Sequence, residues 1–186
     1  MRTVDHKILA RLIINRYMSN ISDKFKKTFY IGCVEPDYNL LSFFHGFFKH
    51  RNLYGHNFCN VQPFIEKLLK RLIKSKRQKT FFYFHLGLLI HYITDAFTFA
   101  HTSSFNGSLR EHSEYEENLH QTFLKLIYGN KIKFNGDFLP VSNITELSRI
   151  HNMYTKGEFS VYNDIVFIIT LTGCIMDNIV FKHKLI

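Results

Sequence analysis

Two pairs of residues in this chain set an imidazole and a carboxylate four positions apart: His91 with Asp95, and His112 with Glu116. On an α-helix such residues lie one above the other on a single face, where both can grip one metal ion. One pair alone is most often an ion pair, but two in succession with His101 between them point to metal chemistry. Asp95 carries extra weight, because residues 81 to about 102 are otherwise nearly all apolar, interrupted chiefly by His85, His91, Thr94 and Thr98. A lone carboxylate buried in such a stretch is costly enough to demand a cation. His101 lies six residues past Asp95, about 240° around and roughly 9 Å along an unbroken helix, which assigns it to a second ion. With His112 and Glu116 it would give three nitrogen and oxygen ligands and leave a place for water, the pattern of a catalytic zinc rather than a structural one. His120, one turn beyond Glu116, extends that face as a supporting or surface residue.

The elements that must position these residues read as helices. Ile8, Leu9, Leu12, Ile13 and Tyr17 share one face, as do Phe64, Ile65, Leu68, Leu69, Leu72 and Ile73, and strand-like alternation is scarce. Ser22 predicts the cap of a helix over 24–30, ended by Gly32 and a Glu35-Pro36-Asp37 turn. Residues 38–60 are rich in Phe, Asn, Gly and His without a clean period, which predicts a long irregular segment, usually a functional one in a compact domain. The stretch 81–102 is apolar all round and predicts a central, buried helix. A turn over 103–108 leads to a polar helix from about 109 to 128, a loop over 129–140, and two last helices over 143–155 and 160–182. The expected fold is all-α, a single domain over residues 1–186 built as a bundle of six to eight helices.

A hydrophobic content of 46% in 186 residues suffices for one sizeable core. The net charge of +9 favours an anionic partner: a phosphate ester, a nucleic acid or an anionic membrane surface. Lys67, Lys70, Arg71, Lys74, Lys76, Arg77 and Lys79 crowd into one short run, either a solvated helix end leading into a basic loop or an anion-docking patch. Cys33, Cys59 and Cys174 are widely spaced, so buried thiols are expected rather than a disulfide framework or a thiolate zinc site. Arg2, Asp5, His6, Lys7 and Arg11 break the apolar run that a signal peptide requires, which predicts a cytoplasmic chain or a mature form. Residues 165–175 are strongly apolar but bracketed by Asp164, Asp177 and Asn178, too short for a bilayer span of about 20 residues. A buried helix is expected there, and no transmembrane segment.

The run His91-Tyr92-Ile93-Thr94-Asp95, then His101, then His112 with Glu116, resembles the metal-binding core of the bacterial zinc-dependent phospholipase C family, the alpha-toxin-like enzymes. More distantly it is similar to the zinc-dependent single-strand nucleases of fungi and plants. The resemblance runs from about His6 to Glu116 and is most specific over 86–116. Under it, His6 matches the early histidine followed by a helix, with Asn15-Arg16 one helix-length on. Asp37, in Glu35-Pro36-Asp37-Tyr38, matches a metal-binding aspartate that can act as general base. His56, in Gly55-His56-Asn57-Phe58, is the next ligand, with His50 as the alternative. The resemblance implies two or three zinc ions: one held by Asp37, His56, His91 and Asp95, another by His101, His112 and Glu116, and a third by His6 with a bridging Asp95. Secreted members chelate the third ion through an N-terminal tryptophan, whereas this chain contains no Trp. Ala100 stands where the family often has proline, and a lipid-docking β-domain of the toxin type is not expected.

The function implied is hydrolysis of a phosphodiester by metal-activated water, with Asp37 accepting a proton and a phospholipid headgroup as the foremost substrate. Peripheral membrane contact is compatible with the basic charge. Phe43, Phe44, Phe47, Phe48, Tyr54 and Phe58 would either line a cleft for a headgroup or stacked bases, or belong to the core. Single-stranded nucleic acid as substrate, and a non-catalytic zinc-binding protein of the same fold, are the alternatives.

Overall fold

The computed structural model describes residues 1–39, 58–132, 134, 141 and 143–183, and among them the backbone forms seven α-helices and no strand. These are α1 (Thr3–Tyr17), α2 (Asp23–Tyr38), α3 (Phe58–Lys74), α4 (Thr80–Ala96), α5 (Leu109–Tyr128), α6 (Ile144–Lys156) and α7 (Val161–His183), with a 3₁₀ turn (Phe99–His101) after α4. The all-α bundle expected from the periodicity is therefore the fold. His50 and His56 lie outside the described residues, as do Phe43, Phe44, Phe47, Phe48 and Tyr54.

Helix α4 is the centre, buried from Phe82 to Ala96 except at Phe84 and His85. A helix apolar all round has no face to offer water, so other elements must cover it. Helix α2 lies along one side and runs parallel to it: Phe25 stacks on Tyr83 at 4.7 Å, and the His91 ring reaches the Cys33 carbonyl at 2.9 Å. Between these contacts the two backbones meet at Gly32 and Gly87. A Cβ on Gly87 would stand 2.3 Å from the Phe29 carbonyl oxygen, and one on Gly32 equally close to that of Phe84. Helix α3 returns antiparallel on another side, burying Val61, Ile65, Leu68, Leu69 and Leu72 from its amphipathic face.

Two helix boundaries differ from the sequence reading. Helix α2 does not end at Gly32; it continues through Pro36 to Tyr38. Gly32 is there for the close approach to α4, and Pro36 falls in the last turn, where it leaves out the helical bond to the Gly32 carbonyl without stopping the helix. Helix α4 stops at Ala96 rather than near 102. His151 donates from Nε2 to the Ala96 carbonyl at 3.2 Å, and Asp164 takes the Phe99 N–H at 2.8 Å, which turns the chain into the 3₁₀ segment. The segment expected to be irregular over 38–60 is helical at its two ends, at Tyr38 and from Phe58.

Helix α5 begins as composition suggests, with a capping box in which the Ser108 hydroxyl accepts from Glu111 N–H and the Glu111 carboxylate accepts from Ser108 N–H. Asn143 caps α6 by accepting from Glu146 N–H at 3.0 Å. Cys33 and Cys174 are buried as expected, but Cys59 is exposed, because it falls off the buried face of α3. No described helix is long and apolar enough to cross a membrane.

The glycine contact fixes a prediction whose sign is diagnostic. In a free helix Gly→Ala stabilises by about 1 kcal/mol. Gly87→Ala is instead expected to destabilise by about 3 kcal/mol, the cost of overpacking against rigid backbone. Chemical denaturation that showed equal or greater stability would refute the close approach.

Candidate metal centre

The carboxyl-terminal half of α4 carries His91 and Asp95, both buried to within 1% of full enclosure. His91 points its Nδ1–H at the Cys33 carbonyl, so in its neutral form Nε2 presents a lone pair. That lone pair faces Asp95 Oδ2 at 3.3 Å and Asp37 Oδ1, from the last turn of α2, at 3.7 Å. Helix α1 delivers His6, whose ring stacks on His91 at 4.0 Å and whose Nε2 is 3.1 Å from Asp95 Oδ1. The ligand atoms of His6, His91 and Asp95 all lie within 4.8 Å of one another. Asp37 Oδ2 is buried and receives no hydrogen bond from the described residues.

The second group forms on the 3₁₀ turn and α5. His101 Nε2 is 3.1 Å from Glu116 Oε1, His112 Nδ1 is 3.9 Å from Glu116 Oε2, and the two imidazole centroids are 5.1 Å apart. His101, His112 and Glu116 also fall within 4.8 Å of one another. The sequence reading placed His101 roughly 9 Å along a continuing helix and away from Asp95. Because α4 ends at Ala96, the turn instead swings His101 back toward it.

A single cation joins the two groups. The Met1 α-ammonium is fully buried, 3.0 Å from Asp95 Oδ1, 3.0 Å from Glu116 Oε1 and 2.9 Å from His101 Nε2. Although the chain lacks the tryptophan of the secreted enzymes, an amino group stands between the carboxylates. His101 Nε2 thus faces both a cation and a carboxylate, which suits a nitrogen ligand to a shared positive centre. Three carboxylates, four imidazoles and a buried acceptor with no donor among the described residues are a borderline, nitrogen-and-oxygen donor set of the kind zinc takes. Asp37, Asp95, His101, His112 and Glu116 line a cavity of about 520 Å³, with Arg2 and Val4 at its mouth.

Electrostatics follow from this crowding. Burial drives His6 down to about 4, aided by neighbouring His91, so it is neutral and able to donate its lone pair. Burial likewise lowers His101, with the ammonium adding to the effect. Burial alone would raise Asp95, but the ammonium, His91, His101 and His6 hold it well below the usual carboxylate range. Glu116 is held at about 2 against burial by His101 and the ammonium. The ammonium, which burial would lower, is raised by Asp95 and Glu116 to about 10.

Residues passed over in the sequence build the frame. Asp164, at the head of α7, is fully buried and accepts three bonds: from Phe99 N–H at 2.8 Å, Tyr115 O–H at 2.9 Å and Tyr154 O–H at 2.7 Å. It ties the turn carrying His101 to the helix carrying His112 and Glu116. Burial raises its pKa to about 6. The cost of burying a carboxylate, applied to Asp95, would have singled it out as well. Asp5, also fully buried, pairs with His120 Nδ1 at 2.5 Å and joins α1 to α5, which gives His120 the supporting role expected of it.

Two measurements test this geometry. The ammonium's contribution to stability is fully present below its ordinary value of 8.0 and lost as pH rises through about 10. Chelator-treated protein should therefore lose about 2 to 3 kcal/mol between these limits, and a flat alkaline profile of thermal unfolding would contradict the buried ion cluster. Asp164→Asn should weaken metal retention at the His101, His112 and Glu116 group by roughly 10- to 100-fold. Dialysis followed by zinc analysis would then show one site emptied before the other, and uniform retention would refute the anchoring.

Comparison with known proteins agrees with the residues. The family model described as zinc dependent phospholipase C matches residues 5–160, from the first turn of α1 to just before α7. No curated protein and no solved structure gives a significant match. With more than half of its length matched to that model, and its imidazole and carboxylate groups gathered into two adjoining clusters, the chain belongs to the zinc-dependent phospholipase C family.

Proposed function

We propose that the chain hydrolyses a phosphodiester, foremost the headgroup ester of a phospholipid, at a multinuclear zinc centre. Asp37, His91 and Asp95 would hold one ion, His101, His112 and Glu116 a second, and His6 with Asp95 a third where the amino group gives way. The observation that carries this reading is the pair of clusters meeting at one cation between Asp95 and Glu116. Zinc bound there supplies Lewis acidity toward phosphoryl oxygens and brings the pKa of water toward neutrality.

The chain's own groups then have defined tasks. The Cys33 carbonyl and Asp164 hold His91 and the His101 turn in place, so little reorganisation remains at the moment of reaction. As water adds to phosphorus and the bond to the leaving oxygen breaks, one water proton must move to that leaving oxygen. Asp37 Oδ2, buried beside the cavity and without a donor among the described residues, would carry it. Arg2 at the mouth offers a guanidinium to a phosphate oxygen, although its nearer partner is Glu117.

Zinc analysis of the native protein, combined with assays on phosphatidylcholine and single-stranded DNA side by side, tests the proposal. Two or three zinc ions per chain and headgroup release are expected. Asp37→Asn should lower kcat by roughly 10²- to 10⁴-fold, and Glu116→Gln should lose zinc and turnover together. A full zinc load with no turnover on either substrate would make this a binding protein, and cleavage of DNA alone would make it a nuclease.

A further inference from the structure

The topology that builds the metal centre at one end of the bundle collects positive charge at the other. Helices α2 and α4 are parallel, so their first turns lie together, and α3 brings its last turns to the same end, where Arg71 meets His85 at 2.9 Å. The end of α7 arrives there too, with His183 donating to the Leu72 carbonyl at 2.9 Å and accepting from Gln78. Lys67, Lys70, Arg71 and Lys74 are exposed on α3, and Lys76, Arg77 and Lys79 are exposed in the connection to α4. Lys24 and Lys27 on α2 add to them. From Lys67 to Thr94 the sequence holds no Asp or Glu at all. Among the described residues Glu66 pairs with Lys70, and Asp23 with Lys26.

Beside these cations Phe81 is 76% exposed, with His85 its neighbour at 6.3 Å between ring centroids. A groove of about 500 Å³ beside it is lined by Arg71, Ser75, Arg77, Lys79 and His85. At the same end an apolar cavity of about 300 Å³ between α3 and α7, walled by Leu69, Ile73, Ile175 and Ile179, has Lys182 at its rim.

We propose that this basic end docks onto an anionic lipid bilayer, with Phe81 at the boundary between headgroups and acyl chains. The metal centre plays no part in the docking, which stands independently of the reaction proposed above. A basic side chain near an anionic membrane surface strengthens partition by roughly fivefold. Charge supplies most of the attraction, and one apolar side chain at the boundary adds to it. Five of the seven cations over 67–79 are lysines, compact ammoniums that respond to charge density rather than to the shape of one phosphate. A single-strand groove would need successive stacking rings, and Phe81 is the one exposed aromatic over 67–81. Asp95 is about 21 Å from Phe81 along α4, so docking at this end leaves the metal cavity uncovered.

Sedimentation of the zinc-loaded full chain with vesicles of phosphatidylcholine, alone or mixed with phosphatidylglycerol, tests this. Phosphorylated headgroup released in the same tubes would separate lipid loss from loss of binding. Binding to the anionic vesicles is expected to be at least roughly tenfold tighter and to weaken with salt. Lys74→Glu, Arg77→Glu and Lys79→Glu combined should reduce it by roughly a hundredfold or more, and Phe81→Ser by roughly tenfold. Both variants should keep wild-type zinc content, thermal stability and cleavage of a soluble phosphodiester. Equal binding to both vesicle types, or charge reversal and Phe81→Ser both without effect, would overturn the proposal. Capture of a single-stranded oligonucleotide more tightly than anionic vesicles, through the same lysines, would overturn it as well.

Discussion

Asp95 is the constraint on which the rest of this structure hangs. A carboxylate fully enclosed at the end of an apolar helix is tolerable only if positive charge and hydrogen-bond donors surround it. The chain recruits them from distant segments: the amino group of Met1, the ring of His6 on α1, and His91 one turn back on α4. His101 and Glu116 follow, because the same ammonium that compensates Asp95 also touches them. The site is therefore one coupled electrostatic unit rather than two adjacent clusters, and perturbing any charge in it shifts the others.

Such a unit needs rigid walls, and these come from apolar and polar contacts alike. The glycine pair lets α2 lie close enough for the Cys33 carbonyl to orient His91 and for Asp37 to face it. On the opposite flank, Asp164 cross-links the 3₁₀ turn, α5 and α6 through one carboxylate and two tyrosines. Asp164 lies just past the segment matched by the family model, which ends at residue 160, and anchors the metal-binding core from α7.

What could be read from sequence depended on how local the cause was. The pairing of His91 with Asp95 and of His112 with Glu116 is written in a spacing of four, and helix geometry alone makes it real. The end of α4 is different. No glycine or proline marks it; it is set by Asp164, sixty-five positions on, and by His151, fifty-five on. Gly32 misled for a similar reason, since a glycine that ends a helix and a glycine that admits a neighbouring helix look the same in one dimension. Phe58, counted among residues that could line a cleft, is core: it is buried and stacks on His151 at 3.9 Å. The amino group of Met1 was discounted with the missing tryptophan, yet the contact is made by a backbone amine that any residue type can supply.

The parallel course of α2 and α4 has one more consequence. Peptide dipoles add along a helix, leaving partial positive charge at the amino end and partial negative charge at the carboxyl end. Two parallel helices do not cancel as an antiparallel pair would. Both carboxyl ends therefore face the place where cations gather, and both amino ends reinforce the lysine-rich pole. The carboxyl ends of α3 and α7 share that pole and offset this backbone contribution, so the polarity of the molecule rests on its side chains, which would turn it end-on in an external field before any contact is made.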